Sequence, residues 1–342
     1  MGFIRGLFQT LAVVALTSGG ARAQAPARPW MTREILDAAK AEGQVTVYSS
    51  TNEQEGLPLW KIFEDATGIK INYVRAADAA LMGKIALEAR SGQQSWDLIN
   101  TPTANQLPSA VMAQFDPPEA RNIMESARAP DRRWYGVYAN YNSPAYNTNL
   151  VKKEDLPKTY EGFLEKKEWV GRVAIEGTDN EWMNAIFAQY GADKGRKLIE
   201  DLVSTLKIVV LDGHLAAARQ IASGEYAVAL NNYTMLTNNM KLSGAPTDFW
   251  AMDPVALFFG QVAINAKAPH PKASLLAANF MLSAEAQAFA AKTGRIPTRP
   301  DTPANPPDVV ARLTAAKVIP YSLSGDQIKA SQRLFDELFK KR

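Results

Sequence analysis

The sequence contains no cysteine and only two histidines, His214 and His270. Without cysteine there can be no disulfide, no iron–sulfur cluster, no thiol catalysis and no Cys/His zinc site. The net charge is also small, because 38 basic residues are nearly balanced by 35 acidic residues and leave a formal net charge of only +3. So small an excess predicts neither a nucleic acid nor a membrane surface as a partner.

The motifs of the common catalytic and nucleotide-binding sites are missing as well. The sequence has no G-x-S-x-G elbow, no G-x-x-x-x-G-K-[ST] loop, no G-x-G-x-x-G fingerprint and no H-E-x-x-H. Two histidines so placed form no credible catalytic triad. We therefore expect a binding protein without cofactor or metal. A hydrolase that uses paired carboxylates stays open, since such a pair needs only to be close in space.

The N-terminus has the features of a secretory signal peptide. Arg5 precedes an apolar run over residues 7–16, and residues 21–23 (ARA) form a small-residue cleavage site. A run of about ten residues is too short for a bilayer, which needs about 20. Residues 1–23 are therefore predicted to be removed, with an alternative cleavage after Ala25. The mature chain would begin at Gln24 and lie in the periplasm without a lipid anchor.

Strands and helices alternate in the first part of the chain. The predicted order is a strand over 45–48, a helix ending at Ala66, a strand over 69–74, a helix over 78–91 and a strand over 96–100. The order β-α-β-α-β favours a parallel sheet covered by helices, which is an α/β fold.

A second α/β region follows a tyrosine-rich segment, residues 134–149, which we expect to cross between two lobes. A length of 342 residues suits about two domains and leaves room for a cleft between them. The predicted strands of this second part are 173–175, 208–211, 227–230 and 258–265, and the predicted helices are 180–190, 194–206, 215–223 and 325–341.

Four polar loops follow predicted strands and lead into helices. They cover residues 49–53, 101–103, 177–180 and 212–214. In open α/β sheets the ligand crevice lies at the carboxyl ends of the strands. The N–H groups of a helix N-terminus bind anions, so these loops predict an anion site even without nearby arginines.

Several segments together resemble one protein family. They are residues 45–49 (VTVYS) with 63–71 (FEDATGIKI), 223–227 (SGEYA), 262–264 (VAI) with 268–271 (APHP) and 277–287, and 294–300 (GRIPTRP). In this order and spacing they resemble the periplasmic solute-binding proteins of ATP-binding-cassette importers. The resemblance is to the cluster that contains ferric-ion, thiamine, phosphonate and sugar-phosphate binders.

The resemblance implies a two-lobed periplasmic binding protein of type II, with doubly wound sheets joined by a hinge that closes on a small-molecule ligand. It also implies an inner-membrane permease as partner and a monomer in solution. The chain is predicted to cross between the lobes near residues 101–103, 138–142 and 252–258. The predicted lobes are residues 24–102 with 253–300, and residues 103–252 with 301–342.

We expect the ligand to be a small, oxygen-rich anion such as an organic acid, a phosphonate or a phosphorylated compound. Either Tyr141 or Trp182 could stack on a planar part of it, although a core position for Trp182 is equally plausible. The candidate ligand-binding residues are Ser49, Ser50, Thr51, Glu53, Thr101, Thr103, Tyr141, Thr178, Asp179, Trp182, Asn231, Asn232 and Tyr233.

Ferric iron is the alternative ligand. The family's ferric binders present adjacent tyrosines after the strand that follows the "GEy" turn. Here residues 230–234 read LNNYT, so only Tyr233 matches. Glu53, Tyr138 and Tyr141 could complete a different set of oxygen ligands.

Two further residues have stated roles to test. Asp179 either caps the helix over 180–190 or receives a hydroxyl or ammonium group of the ligand. His270 lies between two prolines on a predicted surface turn, and we expect it to face solvent.

Overall fold

The computed structural model describes residues 28–93, 95–321, 323 and 326–339, so the predicted signal peptide lies outside the described residues. The described helices are α1 (Arg33–Lys40), α2 (Glu53–Thr67), α3 (Asp78–Ser91), α4 (Asn180–Tyr190), α5 (Ala192–Leu206), α6 (His214–Ser223), α7 (Thr234–Leu242), α8 (Pro271–Met281), α9 (Ala284–Lys292), α10 (Val309–Thr314) and α11 (Asp326–Phe339). None of these described helices is both long enough and apolar enough to cross a bilayer.

The strands are β1 (Gln44–Ser49), β2 (Lys70–Arg75), β3 (Leu98–Thr101), β4 (Trp134–Asn147), β5 (Val173–Glu176), β6 (Val209–Leu211), β7 (Val228–Tyr233), β8 (Thr247–Phe249), β9 (Val255–Ile264) and β10 (Val318–Pro320). Their order in the sheet is β2-β1-β3-β9-β4-β7-β5-β6, with β10 beside β9 and β8 beside β4. Parallel pairs lie at both ends of this order, and antiparallel pairs join them in the centre.

The predicted α/β class and two-lobed architecture are confirmed, but the two sheets are not separate. The long strands β4 and β9 pair with each other, and each also pairs with a strand of one parallel half, β9 with β3 and β4 with β7. Because β9 pairs with β3 on one side and with β4 on the other, and β4 continues on to pair with β7, the hydrogen-bonded ladder runs from one lobe to the other.

Each lobe has its own aromatic core. In the first core, Trp30 and Phe63 pack around Phe280. In the second, Trp182 lies between Tyr160 and Phe339. These two clusters, rather than a break in the sheet, define the lobes.

The chain passes between the cores at two of the three predicted places. Tyr141 packs in the first core and Tyr146 in the second, so β4 crosses. Met252 packs in the second core and Val255 in the first, so the chain returns there. The crossing predicted at residues 101–103 is wrong, because the residues that follow, Ala104 to Met112, pack against side chains of β1, β3 and α3.

The contacts also suggest where the lobes divide. We propose that residues 28–141 with 255–318 form one lobe and that residues 142–254 with 326–339 form the other. This division differs from the predicted one because Ile123 lies in the first core and because α10 inserts Val309 and Leu313 there. Phe335 of α11 belongs to the second core, so the C-terminal part of the chain crosses once more.

His270 does not face solvent as expected. It precedes α8, and its side chain is only 20% exposed. The buried carboxylate of Asp97 accepts a hydrogen bond from the backbone N–H of His270 at 2.7 Å and lies 2.9 Å from its Nδ1. The same carboxylate accepts the backbone N–H of Thr46, so His270 helps to fasten α8 to β1.

The contact between β4 and β9 is closest at Gly260, which lies opposite Tyr138. The ring of Tyr138 covers this glycine, and a Cβ added to Gly260 would overlap the ring. Only glycine lets the aromatic ring lie flat on the neighbouring strand at this position.

We therefore expect Gly260→Ala to lower the free energy of unfolding by about 1–3 kcal/mol, because the ring of Tyr138 must move out of a packed core. The control is Gly83→Ala on the exposed face of α3, where an added Cβ meets nothing within 4 Å. It should raise stability by about 0.5–1 kcal/mol. Urea unfolding of both variants checks this, and equal stabilities would contradict it.

Candidate ligand-binding site

A pocket of about 140 Å³ opens between the two lobes. Its walls come from the ends of β3, β5 and β7, the first turns of α3 and α4, the central part of β9 and the residue after β10. Strand ends and helix starts therefore meet at this pocket. The lining residues are the acidic Asp78 and Glu181, the aromatic Trp134, Phe258, Phe259, Tyr233 and Tyr321, and the neutral Pro102, Thr103, Asn105, Gln106, Thr178 and Gln261.

In the first lobe, most predicted polar residues bind one another. The amide oxygen of Asn100 accepts hydrogen bonds from Ser49 Oγ at 3.4 Å and from Thr51 Oγ1 at 3.2 Å. The Thr101 hydroxyl donates to Asp78 Oδ1 and lies 3.0 Å from Thr103 Oγ1. These hydroxyls hold the loops in place.

Of the first-lobe candidates, only Thr103 lines the pocket. The backbone N–H of Ser50 donates to the carbonyl of Asn100. Glu53 is exposed at the first position of α2, where its charge suits the helix N-terminus. Asn52, rather than Glu53, caps that helix through the N–H of Glu55 at 2.9 Å.

In the second lobe, the protein's own carboxylates occupy the donors that we expected an anion to bind. Glu176 accepts the backbone N–H of Thr178 at 2.8 Å, the Thr178 hydroxyl at 2.9 Å and the N–H of Gly213 at 3.2 Å. The predicted donation from Thr178 to a ligand oxygen is therefore wrong, because this hydroxyl already has a buried carboxylate as its acceptor.

Asp179 is a helix cap, which decides between its two predicted roles. One oxygen accepts the backbone N–H of Trp182 at 3.2 Å, and the other accepts the side-chain amide of Asn142. The side chain is fully buried. Burial, followed by the nearby carboxyl groups of Glu181 and Glu176, raises the pKa of Asp179 well above its usual range.

Asn231 and Asn232 serve the strands rather than the pocket. Asn231 exchanges two hydrogen bonds with the backbone of Glu176 and so fastens β7 to β5. Asn232 Oδ1 accepts the N–H of Tyr233, and Asn232 Nδ2 is buried without a partner. Neither residue is among those that line the pocket.

The two residues proposed to stack on a ligand lie in the cores. Trp182 is fully buried, and its Nε1 donates to Tyr160 OH at 2.9 Å. Tyr141 is 3% exposed and packs in the first core. The core alternative for Trp182 is therefore the one observed, and the stacking prediction is wrong for both residues.

The residues of the alternative set of iron ligands lie in different surroundings. The Arg295 guanidinium carbon lies 4.4 Å from the centre of the Tyr138 ring. Arg295 is also paired with the Glu55 carboxylate at 3.0 Å. Glu53 is exposed and Tyr141 is in the core. Among the described residues, no group of three His, Asp or Glu side chains is arranged to hold a metal ion.

Tyr233 is the one second-lobe candidate whose ring faces the pocket. Its ring stacks on the imidazole of His214, with centroids 3.5 Å apart and planes inclined by 23°, and its other neighbour is Phe258 at 5.1 Å. Burial raises the pKa of Tyr233 well above its usual value. The carboxyl groups of Glu181, Asp179, Glu176 and Asp78 raise it further, which indicates a negative potential in the pocket.

The sequence interpretation missed the two acidic residues of the pocket. Asp78 is the first residue of α3 and Glu181 lies in the first turn of α4, both inside helices whose bounds were predicted. Their place at helix starts beside the strand ends was a usable signal. Tyr321 gave no comparable signal, because it follows a three-residue strand in a proline-rich segment.

Comparison with known proteins agrees with this architecture. A family model described as a bacterial extracellular solute-binding protein matches residues 59–317. The structure is similar to iron-bound HitA from Pseudomonas aeruginosa, with TM-score 0.69, 22% identity and 86% of this chain and 99% of that chain covered. The structure is also similar to the fructose-6-phosphate complex of AfuA from Actinobacillus pleuropneumoniae, with TM-score 0.72 and 21% identity, and with 88% of this chain and 99% of that chain covered. The ferric binding protein from Campylobacter jejuni has TM-score 0.70 and 19% identity, with 86% of this chain and 99% of that chain covered.

Burial lowers the pKa of His214 to about 3, although Nε2 lies 3.5 Å from Glu176 and 3.9 Å from Asp179. The unfolded chain binds a proton at this histidine as the pH falls through about 6.5, whereas the folded protein does not. Stability should therefore fall as the pH drops from 6.5 towards 3.

Between pH 7 and pH 5 the free energy of unfolding should fall by about 2 kcal/mol more for the wild type than for His214→Gln. Chemical denaturation at each pH measures both free energies. Taking the difference between the two proteins cancels the contribution of the carboxyl groups that they share. With only two histidines in the chain, an NMR titration supplies a direct control. An imidazole pKa above 6.5 at His214 would show that the neighbouring carboxylates outweigh burial.

Proposed function

Because this chain belongs to the family of bacterial extracellular solute-binding proteins, we propose that it captures a small cationic organic solute. On this proposal the solute binds between the lobes, the lobes close on it, and an inner-membrane permease of an ATP-binding-cassette importer receives it. The predicted signal peptide supports a periplasmic location. The family and the similar structures are binding proteins, which favours binding over the hydrolase alternative.

The charge of the pocket carries this proposal. Asp78 approaches from the first lobe and Glu181 from the second, and no lysine or arginine is among the described residues that line the pocket. A buried anion needs donors or positive charge. The best donors here, the N–H groups beside α4 and α6, already bind Glu176 and Asp179.

The aromatic walls favour the same class of solute. Trp134, Tyr233, Phe258 and Tyr321 line the same pocket as the two carboxyl groups. A cation over an aromatic face gains about 0.5–2 kcal/mol, and more where water is excluded. A solute that carries an ammonium group on a compact organic frame satisfies both the acidic and the aromatic parts of the pocket.

The similar structures include an iron-bound protein and a sugar-phosphate complex. For ferric iron this pocket offers two phenols, Tyr233 and Tyr321, beside Asp78 and Glu181, and burial raises the pKa of both phenols, which disfavours the phenolate that iron needs. For a phosphate it offers two carboxyl groups and no cationic side chain. Neither solute fits the described lining as well as an organic cation does.

Thermal-shift and calorimetric titration of the mature protein test the class of solute. Choline, putrescine and thiamine form the cationic set, and citrate, glucose 6-phosphate, methylphosphonate and ferric citrate form the opposing set. A cation at about 100 times its dissociation constant should add about 2.7 kcal/mol of stability. Saturable binding of an opposing compound, with no binding of any cation, would contradict the proposal.

Glu181→Gln should make the binding free energy of the cation less favourable by about 1.5–3 kcal/mol, which is the contribution of a hydrogen bond to a charged group. The matched control is Glu53→Gln, since Glu53 is an exposed carboxylate at another helix start and does not line the pocket. Its affinity should equal that of the wild type. Equal losses in the two variants would indicate a general charge effect instead of a site.

Affinity for a cation should also rise with pH. Burial raises the pKa of Glu181, so at low pH its carboxyl is protonated and attracts no cation. As the pH rises the carboxyl ionises, and a bound cation promotes this ionisation. Titrations of choline, whose charge does not change with pH, should give tighter binding above the pKa of Glu181 than below it. A flat profile across that ionisation, followed by NMR, would show that Glu181 does not contribute.

A further inference from the structure

We infer that His214 is a positioning residue for the solute: its imidazole supports the ring of Tyr233 from below and so sets the affinity of the pocket for a cation. This inference rests on the proposed function. His214 itself is not among the residues that line the pocket. It acts, on this view, only through the tyrosine in front of it.

The stacking is close enough to fix the tyrosine. With 3.5 Å between centroids and 23° between planes, the imidazole covers one face of the Tyr233 ring. Phe258 contacts the ring at a tilt of 55°, with centroids 5.1 Å apart. Tyr233 ends β7 directly before α7, so the backbone places the residue and the two rings restrict its side chain.

Hydrogen bonds of normal geometry do not fix the position of the imidazole among the described residues. Both ring nitrogens of His214 are buried and without a hydrogen-bond partner. A buried polar group without a partner has an energetic cost, and in a native protein such a group calls for an explanation. Glu176 Oε2 and Asp179 Oδ2 lie at 3.5 and 3.9 Å from Nε2, and the side chain of Asn232 is a further polar neighbour. The stack with Tyr233, at 3.5 Å between centroids, is the close ring contact of the imidazole.

The support matters for a cation because cation binding depends on ring geometry. The attraction requires the charge to lie over the face of the ring, close to its centroid. A ring that rotates freely loses this arrangement and must be ordered again on binding, at a cost of about 0.5–1.5 kcal/mol per side chain. A flat neutral ring beneath Tyr233 keeps the arrangement before the solute arrives.

A double-mutant cycle tests whether His214 acts through Tyr233. The variants are His214→Ala, Tyr233→Leu and the double variant, with His214→Phe as a second single variant that restores a flat ring. The probe is whichever of choline and putrescine binds the wild type more tightly, titrated calorimetrically. Unfolding temperatures and circular dichroism establish that each variant is folded at the temperature of the titration.

We expect His214→Ala to weaken the probe about tenfold in the wild-type background and less than twofold in the Tyr233→Leu background. His214→Phe should bind within about threefold of the wild type. A merely structural role predicts a similar loss in both backgrounds, and that result would overturn the inference, as would His214→Phe binding as weakly as His214→Ala. A wild type that binds neither probe would overturn the proposed function, and the inference with it.

Discussion

The pairing of β4 with β9 is the constraint on which the rest of the structure depends. β4 passes from the first core to the second, and β9 begins where the chain returns to the first core. Together they place β3 and β7 on opposite sides of one central ribbon. The ends of the parallel strands in each half are thereby placed around one opening. Asp78 and Glu181 are 103 positions apart in sequence and lie in the first turns of α3 and α4, yet they line the same pocket because this ribbon joins the two halves.

The ligand class follows from what the second lobe does with its own charges. Two helix starts offer N–H groups to the cleft, and a carboxylate of the protein accepts from each of them, Glu176 beside Gly213 and Asp179 beside Trp182. The oxygen acceptors that an anionic solute would supply are already present as part of the fold. The charged side chains that remain in the lining are both acidic, so the proposed solute is a cation, whereas the sequence predicted an anion.

Much of the fold could be predicted because it depends on local patterns. The bounds of α3 and α4 match the predicted helices, and Gly68 ends α2 in the left-handed conformation as a helix C-cap. α7 was not predicted, since threonine and asparagine are weak helix formers and its packing on β4 and β8 is not visible in sequence. Site residues were harder for the same reason: Thr178 was placed correctly, but only the structure shows that Glu176 accepts its hydroxyl.

The three crossings have a mechanical meaning. β10 pairs with β9, and β9 pairs with β4, at the place where the chain passes between the cores. A ribbon of three hydrogen-bonded strands bends out of its plane more easily than it shears within its plane. On the proposed closure, we therefore expect the lobes to rotate about one axis that lies in the sheet, so that Asp78 and Glu181 approach each other along a single path.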